Sequence, residues 1–426
     1  MLQVNFIREN KERVLAGLRT RNYKGERLAI VDEVLALDNR RKSTQTALDT
    51  MLANNNKLSK EIGGLYKQGK RDEAEGLKAQ VESQKGRVKE LEADMRQIKI
   101  DLTNGLLEIP NVPHPNVPPG NSDEDNEVFQ DWDKELLDLG TTALPHWDLG
   151  KKYNLFDFEL GVKITGAGFP LFRGKGARLQ RGLINFFLDE AYNAGYEEIM
   201  PPLLVNEDSA RGTGQLPDKE GQMYHATKDN LYLIPTAEVP VTNVYRDVII
   251  NEKDFPIKMT GHTPCFRREA GSYGKDVKGL NRVHQFDKVE VVQIVHPDKS
   301  YKVLQEMVKY VEGLLIKLEL PYRILTLCGG DLGFTSALTY DFEVYSAAQK
   351  RWLEVSSVSN FETYQSNRLK IRFKGTDKKT QLAHTLNGSA LALPRIIAAL
   401  LENNQTAEGI RLPKILQPYV KMEIID

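Results

Sequence analysis

Two runs of mainly apolar side chains, spaced alternately three and four residues apart, constrain the first hundred residues of this chain. One passes through Val34, Leu37, Arg41, Thr44, Leu48, Met51, Asn55, Leu58, Ile62 and Leu65. The other passes through Leu77, Val81, Gln84, Val88, Leu91, Met95, Ile98 and Leu102. Such spacing puts the side chains on one face of a helix. With turn-forming material of the type GGLYKQGKRDEAEG between them, the two runs predict long helices packed as an antiparallel coiled coil, its tip near Gly69. At 1.5 Å per residue a helix of about 35 residues is ~50 Å long, so the hairpin is expected to project. Arg41, Thr44, Asn55 and Gln84 interrupt the seam, which weakens pairing but fixes register. Lys57, Lys60, Lys67, Lys70, Arg71 and Lys78 gather around the tip with Tyr66. Basic side chains on a rod suit a phosphate backbone, but a structural or dimerising coiled coil has similar surfaces.

The hairpin is expected to belong to an N-terminal domain over residues 1–109. EIPNVPHPNVPPGNSDEDNE follows. Its prolines stop a helix and hold the chain extended, and its acidic residues favour solvation, so residues 110–131 are expected to be a linker. A second domain is expected over 132–426. With 58 basic and 59 acidic residues, any nucleic-acid-binding patch must be local. The two cysteines, Cys265 and Cys328, exclude a disulfide framework and fit a reducing cytosol. No second pair completes His262 and Cys265 as a tetrahedral site, so zinc is not expected. The N-terminus lacks a signal-peptide pattern, and no run approaches the ~20 apolar residues of a spanning helix. A cytoplasmic protein without a membrane partner is expected.

The second domain alternates helical stretches such as GARLQRGLINFFLDEAYNAG with short β-rich runs. Few β runs are separated by a single regular helix, so a mainly antiparallel sheet flanked by helices fits better than a doubly wound parallel one. Overall the chain is expected to be α+β, a helical-hairpin arm followed by that sheet domain. Neither GxxxxGK[ST] nor a strand-coupled GxGxxG occurs.

The stretch FRREAGSYGKDVKGLNRVHQFDKVE predicts a hairpin with a long glycine-rich basic loop. Phe266 is expected to begin one strand, with Phe286 to Val292 as the other. Alternation puts Arg267 with Glu269 on one face, and Phe286 with Lys288 and Glu290 on another, pointing Arg268 away. An arginine suits phosphate, an aromatic ring suits a stacked base, and a carboxylate suits an ammonium or a base amine. An ordinary salt-bridged surface strand carries the same letters. In LEVSSVSN, ideal alternation puts Glu354 and Ser356 on one face and Ser357 on the other; a carboxylate beside hydroxyls suits a hard divalent cation on phosphates. Asn387, Gly388 and Ser389 immediately precede an apolar helix that carries Pro394 in or near its first turn. Arg395 then lies near the positive helix end.

In this order the segments resemble a class II aminoacyl-tRNA synthetase, specifically the bacterial-type seryl-tRNA synthetase family. GYEEIMPPLLVN is similar to motif 1, FRREAGSYGKDVKGLNRVHQFDKVE to motif 2 and NGSALALPRIIAALLENNQ to motif 3. RGTGQLP, IPTAEVP, EVSSVSN and HTLNGS resemble the seryl branch, and the first helical pair resembles its tRNA-binding arm. Ala390 and Asn367 depart from its usual pattern.

The resemblance implies that the chain activates L-serine with ATP and charges serine-accepting tRNA, with selenocysteine tRNA a second candidate acceptor. It implies serine contacts at Thr236, Glu238, Arg267, Glu290, Asn387 and Ser389. For ATP it implies Arg267 at the α-phosphate, Glu269 at the adenine amine, Phe286 stacked on the base and Arg395 at the γ-phosphate. Arg267 and Arg395 would be catalytic, and Glu354 and Ser357 would hold Mg2+ with the phosphates. The loop from Gly271 to Arg282 would approach the tRNA acceptor end, and Pro201 and Pro202 would lie at a homodimer interface. Competing expectations are an amino-acid-activating enzyme that serves a carrier protein and a non-catalytic paralogue. The first is expected to lack the arm, and the second to have lost charged site residues.

Overall fold

The computed structural model describes residues 1–269, 278–376 and 378–426. They divide into two compact units: Met1–Arg19 with Tyr23–Pro110, and Thr20–Asn22 with Asn111–Asp426.

The first unit is dominated by α1 (Glu26–Lys67) and α2 (Arg71–Glu108). Every residue of both predicted stripes is buried or half-buried, as a coiled-coil seam requires. The tip turn is shorter than the sequence suggested. Gly63, Gly64 and Gly76 lie inside the helices, and three residues around Gly69 (φ +76°) reverse the chain. The seam also buries a carboxylate, Asp38, which pairs with Arg8 at 2.8 Å, Arg41 at 2.8 Å and Lys42 at 3.0 Å. Burial opposes its charge, but hydrogen bonds from Lys42, Arg41 and Arg8 outweigh that and bring its pKa down to about 2.

The second unit is built on an eight-stranded sheet. In chain order its strands are β1 (Glu127–Gln130), β2 (Glu197–Glu198), β3 (Ile257–Phe266), β4 (Gln285–Val295), β5 (Tyr322–Thr326), β6 (Leu338–Ser346), β7 (Arg351–Asn360) and β8 (His384–Ala392). Their spatial order is β1-β5-β6-β7-β8-β4-β3-β2, antiparallel except for β2 on β3. Further helices are α3 (His146–Lys152), α4 (Gly174–Asn193), α5 (Ser300–Lys317) and α6 (Leu393–Asn403). Phe186, Leu304 and Ile397 from α4, α5 and α6 join Val289, Val291, Phe342 and Val358 from the sheet in one buried cluster. Burying such apolar area is worth roughly 25 cal/mol per Å2. Alternation along β4 sends Val289 and Val291 to this core and leaves Lys288 and Glu290 on the other face. The sheet therefore has one face for stability and one for chemistry.

The expected linker packs differently. Asn111, Val112 and Val117 are buried, and Glu127–Gln130 forms the edge strand β1. Backbone bonds from Asn111 to Phe334 and from His114 to Ala337 tie the proline-rich stretch to the second unit. Apolar valines and proline rings have no reason to stay in water, whereas Asp123, Glu124 and Asp125 remain exposed.

Candidate active site

A cavity of about 450 Å3 opens on the polar face of the sheet. Four pieces of chain meet there: the stretch 215–238, the hairpin β3–β4, the centre of β7, and the junction where β8 runs into α6. Thr236, Glu238, Arg267, Glu269, Phe286, Glu290, Glu354, Ser357, Asn387, Ser389 and Arg395 all line it. The fold thus gathers every expected site residue, across more than a hundred and fifty positions of sequence, into one place.

Glu290 lies at the bottom, 1% exposed. Its Oε2 accepts a hydrogen bond from the Thr236 hydroxyl at 3.2 Å, and its Oε1 accepts from Asn387 Nδ2 at 3.2 Å. Lys288 Nζ lies 2.5 Å from Oε2. Ser389 pairs across the strands with Glu290. Glu238 stands close by, its Oε1 accepting from Gln365 Nε2 at 2.6 Å. Burial first, and the Glu290 charge second, push its pKa up to about 7. The pocket thus holds one carboxylate compensated by a lysine and another that burial disposes to take up a proton.

Arg267 and Glu269 face the cavity by a route that strand alternation did not predict. Phe266 ends β3 rather than beginning a strand. Arg267 donates its backbone N–H to His284, Arg268 donates its own to Gln222, and Glu269 adopts φ +48°. The Arg267 guanidinium lies over the Phe286 ring, 5.3 Å from its centre, and Nε reaches the Pro235 carbonyl at 3.3 Å. Glu269 pairs with Arg282. Arg268 is exposed, stands over Tyr224 and is absent from the lining. Gly271 and Gly274 of the basic loop lie outside the described residues.

The expected separation of Ser357 from Glu354 does not occur. Asp341 pairs with Ser357 and Phe342 with Ser356, but Glu343 pairs with Glu354, so Val355 is an extra residue in β7. This β-bulge reverses the alternation and brings Glu354 and Ser357 to the same side. Arg395 binds the Glu354 carbonyl through Nη1 at 2.6 Å and lies 3.5 Å from its carboxylate. Pro394 occupies the start of α6, where its missing N–H costs nothing.

Glu354 and Ser357 offer oxygen donors of the kind a hard divalent cation prefers. Asp341, which pairs with Ser357, has a buried Oδ1 with no partner among the described residues. Burial, then the charge of Glu354, pushes its carboxyl well above the ordinary range. A cation beside Glu354 would relieve both, so these residues fit Mg2+ and would hold it where phosphate charge needs neutralising. Among the described residues no group of three His, Cys, Asp or Glu side chains converges as a metal site, so phosphate oxygens would have to complete the shell.

The sequence did not single out Lys288 as a functional residue, nor did it mark Gln222, Asn281 or Ser359, all of which line the cavity. Its two-residue spacing from Glu290 was visible, but not the burial that makes the pair important.

Comparison with known proteins shows which family the chain resembles over its whole length. Residues 1–113 match the seryl-tRNA synthetase N-terminal domain, and residues 222–404 match the class II tRNA synthetase core domain for Gly, His, Pro, Ser and Thr. A serine–tRNA ligase from Salinibacter ruber is 49% identical over 98% of both chains. The chain belongs to the seryl-tRNA synthetase family. The serine–tRNA ligase of Prosthecochloris aestuarii is 44% identical over 100% of this chain and 99% of its own. The crystal structure of Pyrococcus horikoshii seryl-tRNA synthetase complexed with ATP superposes with a TM-score of 0.91 at 34% identity, covering 100% of this chain and 99% of that one. For the cytoplasmic serine–tRNA ligase of Naegleria fowleri in complex with AMP the TM-score is 0.86 at 27% identity, with the same coverage. Among the described residues no helix is long and apolar enough to cross a membrane.

Proposed function

We propose that this family member is a serine–tRNA ligase that works in two steps. One serine carboxylate oxygen attacks the α-phosphorus of ATP, the bond to the bridging oxygen breaks, and pyrophosphate leaves. A terminal ribose hydroxyl of serine-accepting tRNA then attacks the acyl carbon of seryl-adenylate, losing its proton and expelling AMP.

The observation that carries this proposal is the placement of a buried carboxylate and an arginine in one cavity. Glu290 supplies the charge that holds an ammonium, and Arg267 the charge that holds a carboxylate or phosphate. Thr236, Glu238, Asn387 and Ser389 surround the amino acid, and Ser389, which pairs across the strands with Glu290, reads its hydroxyl. Glu269 binds the adenine amine and Phe286 carries the base. Arg267 steadies the α-phosphate and Arg395 the γ-phosphate, so the protein works by orientation and fixed charge. Mg2+, held by Glu354 and Ser357, would neutralise phosphate charge.

Serine specificity rests on a buried group that pairs with the hydroxyl; alanine leaves that group unpaired, a loss that discriminates by ~10⁴ or more. The first unit grips tRNA through the basic residues near the tip of its helical pair. A homodimer through the segment at Pro201 and Pro202 is part of the same proposal, supported by Met200 at 90% exposure with Leu203 and Leu204 also exposed. The cytoplasm is the proposed compartment.

Serine-dependent exchange of pyrophosphate into ATP, run beside alanine, glycine and threonine and followed by charging of total tRNA, tests the function. Exchange with serine alone, then seryl-tRNA, is expected. Exchange that prefers another amino acid, or none with any of the four, would overturn it.

A further inference from the structure

Behind the cavity, and not among its lining residues, lies a cluster with no access to solvent. His146 opens α3, Glu402 lies near the end of α6, and both side chains are 0% exposed. His146 Nδ1 is 2.6 Å from Glu402 Oε1, and the His146 backbone N–H donates to the same oxygen at 2.8 Å. On the other side of the ring, Nε2 accepts the backbone N–H of Leu280 at 2.8 Å. An amide N–H cannot accept a hydrogen bond. Nε2 must therefore carry a lone pair, and Nδ1 the proton that faces Glu402.

The cluster continues to the cavity wall. Gln349 donates to Glu402 Oε1 at 2.9 Å, and its own carbonyl accepts from Asn281 Nδ2 at 3.0 Å. The Asn281 backbone carbonyl then accepts from Arg395 Nε at 3.0 Å. Leu280, Asn281 and Arg395 all line the cavity. The approach is tight: a side chain at Gly279 (φ +65°) would put its Cβ 2.3 Å from His146 Nε2. An apolar pair could fill the same space without the cost of desolvating a carboxylate. A hydrogen-bonded network instead fixes one arrangement of the chain that it touches.

We propose that His146, oriented by Glu402, is a positioning residue for adenylate formation. Its Nε2 lone pair pins the returning limb of the hairpin at Leu280. The neighbouring Asn281 carbonyl then holds the Arg395 guanidinium at the phosphate end of the cavity. This rests on the cavity's being the adenylate site proposed above. Glu290, which accepts from Thr236 and Asn387, lies further along the same limb but inside strand β4, paired on both sides, so the phosphate end is affected before serine binding.

Two near-isosteric substitutions separate positioning from mere filling. H146Q brings a carbonyl oxygen towards the Nε2 position, where it can accept from Leu280. H146N brings an amide N–H towards Nδ1, satisfying Glu402 and leaving Leu280 without an acceptor. Serine-dependent pyrophosphate exchange is measured on the full chain, with thermal midpoints taken alongside. H146N is expected to lose roughly 10–100-fold in kcat, the scale of a 1 Å misplacement, with the serine KM within about twofold. H146Q should stay within about fivefold of the parent. Equal activity in H146N and the parent, parallel losses in both variants, or a loss that appears in the serine KM would overturn the proposal. So would nitrogen NMR of the unsubstituted chain that shows His146 as the Nε2–H tautomer, a measurement that needs no variant to fold. Exchange by the parent tests the adenylate site itself, so the two failures are distinguishable.

Discussion

Lys288 Nζ and Glu290 Oε2 meet at 2.5 Å at the bottom of the cavity, with side chains 7% and 1% exposed. Two charges so far from water depend on each other, beside the hydrogen bonds that Glu290 accepts from Thr236 and Asn387. On the proposed function, an incoming serine ammonium would have to share Glu290 with this lysine or displace it. Lys288→Met, which keeps the chain length and removes the charge, should cost about 3 kcal/mol or more of stability, seen as a lower thermal midpoint. Saturating serine should then raise that midpoint more in the variant than in the parent, because its ammonium restores the missing partner. An unchanged midpoint, or an equal serine effect in both proteins, would contradict this.

Glu238 makes folding depend on pH. Its folded pKa of about 7 lies above the ordinary 4.5, so between those values the folded chain binds more proton than the unfolded chain. The stabilisation is complete below about pH 4.5 and is lost as pH rises through 7. A shift of this size is worth about 3 kcal/mol. Glu238→Gln keeps the shape without the titration, so its stability relative to the parent should improve steadily from pH 5 to pH 8. A pH-independent difference would rule out Glu238 as the group responsible.

Among the described residues Arg267 is held by the Pro235 carbonyl and the Phe286 ring rather than by a carboxylate, which leaves its charge available. Arg267→Ala should lower serine-dependent exchange by about 10³-fold while leaving the thermal midpoint within a few degrees. Exchange near the parent rate would remove Arg267 from the phosphate site.

The helical pair belongs to a unit separate from the one that carries the cavity. Deleting residues 34–102 should therefore leave pyrophosphate exchange near the parent rate and sharply reduce tRNA charging. Full charging by the shortened chain would show that the arm does not grip tRNA.

The helical pair was legible because its signal is local: a 3-4 stripe can be read without knowing what packs against it. Arg267, Glu269 and Glu290 were also marked, although Glu269 reaches the cavity through a left-handed backbone rather than a strand. Ser357 was assigned to the wrong face because its position depends on a mismatch with β6, which no property of EVSSVSN announces. His146 was silent for a similar reason: its carboxylate partner lies 256 residues away. Alternation and spacing report what an element does by itself, whereas bulges and buried networks exist only between elements.

The three-residue turn around Gly69 joins two helices whose stripes must stay opposite each other along their whole length. An insertion in one helix alone would rotate every later seam residue out of line. Growth or shortening of this arm should therefore come in matched sevens on both strands of the hairpin, about 10 Å at a time. Arm reach is in that sense a stepped quantity, and lineages that differ in it should differ by whole heptads.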